Sequence, residues 1–96
     1  MHTRERALEQ TVALLLGLRA GLRAALDDAP ASGAPAEVRA RLAVAVSELG
    51  DALLLAQHGH QATREWTSFA EAAIRDAQHA LAIYAAWESG FDEAGA

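Results

Sequence analysis

Half of the apolar residues in this chain are alanine: 25 of 50, in a sequence of 96. Alanine has no side-chain rotamers to lose, so it favours helix more than any other residue, yet it adds almost no volume to a core. Leu, Ile, Val and Phe together supply 21 of the 96 residues. That share lies just above the level of about 20% below which chains of this kind stay disordered. The composition therefore points to a helical fold with a thin core. Val, Ile, Thr, Tyr, Phe and Trp total 15 residues, scattered among strong helix formers, which excludes a β-rich fold. At this length one domain is the ceiling, and with no Cys there is no disulfide scaffold.

The apolar residues recur at helical spacing in three segments. Leu8, Val12, Leu15, Leu22 and Leu26 form one stripe, widened by Leu14 and Leu18, and predict a helix over residues 3–28. Asp27 to Pro35 contains two Pro, a Ser and a Gly, so residues 29–35 are expected as a loop. Pro35 suits the first turn of a second helix over 36–58, whose stripe is Val38, Leu42, Ala45, Val46, Leu49, Leu53 and Ala56. Val44, Leu54 and Leu55 fall outside that stripe, so this helix is apolar on more than one side. Gly59 suits its left-handed end. A third helix over 61–88 carries Trp66, Phe69, Ala73, Ala77, Ala80, Tyr84 and Trp87 on one face, followed by a short acidic tail at 89–96 opened by Ser89 and Gly90. Short connections favour antiparallel neighbours. The expected architecture is a single all-α domain, an up-down-up three-helix bundle, completed by dimerisation.

Charge narrows the function classes. Eight Arg against thirteen Asp and Glu leave a net charge of -5, and no segment offers the basic stripe that displaces counterions from nucleic acid. The longest apolar run, Val12 to Leu18, is far short of the roughly 20 residues of a membrane span. A reducing compartment, the cytoplasm, is the expectation for a chain without Cys.

Two features ask for a functional explanation. The first lies on the side of helix 1 opposite its leucines, where Ala13, Gly17, Gly21 and Ala24 form a ladder of small residues. Each Gly costs a helix about 0.8–1 kcal/mol relative to Ala, and small residues admit a second backbone at close range. This face is the expected interface for a homodimer or a protein partner.

The second feature comes from register. Centring the first turn at residue 32 and the second at 59–60 puts Arg19, Arg23, Arg41, Asp76 and His79 in one layer of the bundle. Its expected core is an Arg19–Asp76 ion pair. The surplus guanidiniums beside Ala73, Ala77 and Ala80 would suit a small anionic or carboxylate ligand. His58 and His60 provide at most two metal ligands, and His79 stands about 28 Å along the helix, so neither a metal nor any other cofactor is expected. No phosphate-binding glycine loop, nucleophile elbow or zinc-helix motif occurs. Glu48 and Asp51, one turn apart, are the remaining acid/base candidates, expected to face water or pair with Arg41. The reading is a non-enzymatic helical interaction protein. The alternative is a bundle that binds, or acts on, a small anion through the arginine layer.

Overall fold

The computed structural model describes residues 2–59 and 63–95, with side chains over 6–59 and 63–90. It contains three helices, α1 (His2–Ser32), α2 (Ala36–Gln57) and α3 (Arg64–Gly95). Specific contacts fix their directions. Trp66 at the start of α3 reaches Ala52 near the end of α2, while Tyr84 late in α3 reaches Asp28 late in α1. Leu53 and Ala56 of α2 share a groove with Val12 and Leu16 of α1. Hence α2 is antiparallel to both neighbours, and the path is up-down-up. The bundle is a rod of 55 × 21 × 18 Å.

Two helix ends differ from the sequence reading. Residues 29–32, expected as loop, complete the last turn of α1, with Pro30 inside it. Pro30 forfeits only its own N–H bond there. The cap then satisfies the orphaned carbonyls: Gly33 (φ 82°) donates to the Pro30 carbonyl at 3.3 Å and Ala34 to the Ala29 carbonyl at 3.0 Å. This is the paired-bond cap that a left-handed glycine permits, and its usual apolar contact is supplied by Ala29 and Ala34, both buried. Ser32 Oγ donates to the Ala29 carbonyl at 3.0 Å, which tightens the turn further. At the other end, residues 89–95, expected as a tail, continue α3. A lone Ser-Gly pair is a weak stop, worth about 1 kcal/mol without a left-handed cap or a following Pro. Trp87, stacked on Tyr84 with ring centroids 6.1 Å apart, packs against the core just before it.

The start of α3 is more firmly specified. Thr63 Oγ1 accepts the Trp66 backbone N–H at 3.1 Å, the standard side-chain cap of a first turn. The buried Trp66 indole donates to the Ala52 carbonyl of α2 at 2.8 Å, so the largest side chain in the core leaves no unsatisfied donor.

The core is as thin as the composition implies. Leu15, Leu22, Leu42 and Leu49 are its large, fully buried members, set against Ala70, Ala73, Ala77 and Ala80 of α3. The alanine stretch of α3 is therefore a surface of close helix approach. The space between the aromatic blocks at Trp66/Phe69 and Tyr84/Trp87 is filled by leucines of α1 and α2. Among the described residues no polar or charged side chain is buried.

Candidate functional site

The five residues assigned to one layer separate into two places. Arg41, Asp76 and His79 line a groove of about 420 Å³ between α2 and α3, together with Ala40, Val44, Ala45, Glu48 and Ala80. Arg19 is half-buried and lines a different groove, about 280 Å³, between α1 and α2, beside Val12, Leu16, Leu53, Ala56 and Gln57. Arg23 is exposed and borders neither. The Arg19–Asp76 ion pair does not form. The cause is direction rather than height: Arg19 turns into the α1–α2 groove, whereas Asp76 lines the groove between α2 and α3. The height shifts less: with the helix running to Ser32, the first connection centres on residue 34, and Arg19 moves about one turn along α2, from the level of Ala45 to that of Leu49.

Asp76 has a different neighbour. Its carboxyl faces that of Glu48 across the α2–α3 groove, close enough for the two acids to act on each other. Partial burial raises the Glu48 pKa above its ordinary value; the hydrogen bond with Asp76 and the negative charges of Asp76 and Asp51 add to the rise. Two carboxyls this close repel each other when both are ionised, and they can hydrogen-bond only while one keeps its proton. Arg41 and His79 line the same groove and are both exposed. The site thus carries two acids, one guanidinium and one imidazole, where the sequence pattern suggested three guanidiniums to one acid. An excess of positive charge to hold a small anion is missing. Glu48 was visible in the sequence as an edge residue of α2, but its partner was not. The second connection, between Gln57 and Arg64, puts Glu48 level with the turn between Glu71 and Asp76, and of these two Asp76 is the one that lines the groove.

Farther along the same seam lies a second, largely apolar opening of about 340 Å³ lined by Asp51, Leu54, Leu55 and Phe69. Val44, at 58%, is the most exposed of the large apolar side chains, and Leu54 follows at 53%. Polar and apolar ground alternate along the seam, from Val44 through Glu48–Asp76 to Leu55 and Phe69.

The small-residue ladder of α1 points away from the core. Ala13, Gly17, Gly21 and Ala24 are all exposed. A Cβ placed on Gly17 or Gly21 meets no atom within 4 Å, so neither glycine is needed for packing inside the chain. Leu14 and Leu16, both exposed, flank the ladder.

Of the histidines considered as metal ligands, His58 is exposed and His60 lies outside the described residues. No group of three His, Cys, Asp or Glu able to hold a metal ion occurs among the described residues. No described helix is long and apolar enough to cross a membrane. A further polar contact that periodicity did not indicate closes the other end of the bundle. The Tyr84 hydroxyl donates to Asp28 Oδ2 at 2.7 Å, and Ser32 Oγ lies 3.4 Å away. The Ser32 contact favours ionisation of the phenol. The Asp28 hydrogen bond, desolvation and the charges of Asp28 and Glu88 outweigh it, and the Tyr84 pKa is raised. No protein-family model, curated protein or solved structure matches this chain.

Proposed function

We propose that this protein is a non-enzymatic helical interaction protein that packs the outer face of α1 against a helix of a second copy or of a partner protein. The observation that carries this reading is the open ladder of Ala13, Gly17, Gly21 and Ala24, with Leu14 and Leu16 exposed at 44% and 46% on its flanks. Two glycines cost α1 about 1.6–2 kcal/mol in helix propensity, and the bundle itself gains nothing from them. A second helix laid on this face could approach to the short end of the 8–10 Å interaxial range and cover both leucines. With no thiol to protect or pair, we place this action in the cytoplasm.

The test is the association state of wild type and Gly17→Glu, measured by sedimentation velocity over a wide concentration range. It is paired with a comparison of the proteins each retains from its native cell extract. Gly17→Glu should keep its helical circular dichroism and lose association, or lose specific partners, by tenfold or more. Equal behaviour of the two proteins in both measurements would overturn the α1 face as the contact. Gly17→Ala is the folding control, since its methyl enters open space.

A further inference from the structure

The α2–α3 seam presents a different surface, and its chemistry is more specific than that of α1. We propose that it seats a second copy of this chain, docked antiparallel about a twofold axis beside Val44, so that Arg41 of each protomer enters the Glu48–Asp76 pair of the other. This goes beyond the α1 reading and uses none of its residues.

Three observations converge. The first is charge. Glu48 and Asp76 line one groove and face each other across it, and Asp51 adds a third carboxylate nearby. Arg41 lines the same groove and is exposed. A guanidinium carries a planar fork of donors matched to carboxylates, so an incoming Arg supplies what the pair lacks.

The second is symmetry. Arg41 and Glu48 are equidistant from the point between Val44 and Ala45, each about 5 Å away along the axis. An isologous contact brings residue i to j and j to i. A dyad at that point therefore makes both Arg–Glu pairs at once. Because both lie so close to the dyad, a shallow crossing of about 20° displaces them by only about 2 Å. Val44, the most exposed large apolar residue, falls on the axis and would meet its own copy. On α3 the same dyad passes beside His79 and Ala80, since Glu48 is level with Asp76. Ala72 of one protomer is then level with the partner's Trp87, and Phe69 with the partner's Gly90, so bulk faces small residues at both ends.

The third is area. The chain exposes 6340 Å², whereas a compact monomer of 10.1 kDa exposes about 5,300 Å². The surplus goes with the rod shape of 55 × 21 × 18 Å, and along the seam it includes Val44, Leu54 and Leu55, exposed at 58%, 53% and 38%.

Protonation is linked to this docking. Burial and the neighbouring acids raise the Glu48 pKa, and an Arg41 arriving from the second copy would favour the ionised carboxylate. His79 and the chain's own Arg41 also face the pair, and Asp51 acts on it from α2. Association therefore weakens as pH falls into the carboxylate range.

Charge reversal tests the arrangement directly. Arg41→Glu and Glu48→Arg each place like charges across the dyad, and each should weaken dimerisation at least tenfold in sedimentation equilibrium while helicity is retained. Mixed in equal amounts, the two variants restore both pairs in a heterodimer, which should recover wild-type affinity to within a few-fold. A wild-type protein monomeric at all practical concentrations overturns the proposal. So does a mixture no tighter than its components, or a dimer indifferent to both changes. If only Gly17→Glu dissociates the wild-type dimer, the α1 reading stands and this one falls; if only the charge reversals do, the reverse holds. Since the chain has no Cys, Val44→Cys gives an independent readout. Mild oxidation should link it into a covalent dimer with high yield, and Ala85→Cys, exposed on the side of α3 opposite Asp76, should not link; equal yields from the two would also overturn the twofold axis.

Discussion

The contacts that α3 makes at the two ends of the bundle and the contact between them obey opposite rules. At one end the Trp66 indole N–H meets the Ala52 carbonyl, and at the other the Tyr84 hydroxyl meets the Asp28 carboxylate. In each case a donor finds an acceptor. Midway between them, Asp76 meets Glu48, two acceptors that need a borrowed proton to bond at all. Local agreement at the ends is what a chain selected for one fold should show. A mismatch sustained in the middle is the kind of violation that marks a working surface. The bundle is stapled where it must hold, and left incomplete where something else can add to it.

The sharpest way to break the comparison is at the Trp66 end. Trp66→Ala empties a buried position and removes the bond to Ala52, and should cost about 3–5 kcal/mol, read as a lower midpoint in urea unfolding followed by circular dichroism. An effect below about 1 kcal/mol would mean that the staple is not structural. Tyr84→Phe tests the other end with less disruption. Loss of its hydrogen bond to the Asp28 carboxylate should lower the urea midpoint at neutral pH, by less than Trp66→Ala does.

The middle should respond in the opposite direction. Glu48 has a raised pKa in the folded state, so its proton stabilises the fold fully at acid pH. That contribution is lost as pH rises through the range above its ordinary 4.5. Glu48→Gln offers Asp76 an amide donor at every pH. At neutral pH and at dilutions where the chain is monomeric, the variant should match or exceed wild-type stability by up to about 0.5 kcal/mol. Its stability should also vary less between pH 4 and pH 7. A wild type with no such pH dependence would remove the distinction between ends and middle.

Much of the fold was legible residue by residue. The stripe of Leu15 and Leu22, that of Val38, Leu42 and Leu49, and the face of Trp66, Ala73, Ala77 and Tyr84 are all buried, as their spacing requires. The small-residue ladder faces outward, as its place opposite the leucines implies. The helix ends were less legible. Pro30 reads locally as a breaker, but its cost is small in a last turn that a left-handed Gly33 caps and a buried Ala29–Ala34 contact closes. The candidate layer depended on those ends and on the direction of each side chain: Arg19 turns into the α1–α2 groove beside Leu53, and Asp76 faces Glu48 across the α2–α3 groove. The Tyr84–Asp28 bond stayed hidden for the same reason: residues 56 apart meet only once both helix ends are known.

The amino-acid sequence by itself determined the class of structure, because a quarter of the chain is Ala and its Leu and aromatic residues recur at the helical period. It also determined which side of each helix is buried, since period alone settles that. Tertiary structure decided which charged side chains face one another. Height along a bundle is set by where turns begin and end, and those points depend on capping bonds and on contacts between distant helices. The pairing of Glu48 with Asp76, on which the proposed second copy depends, is a consequence of that register.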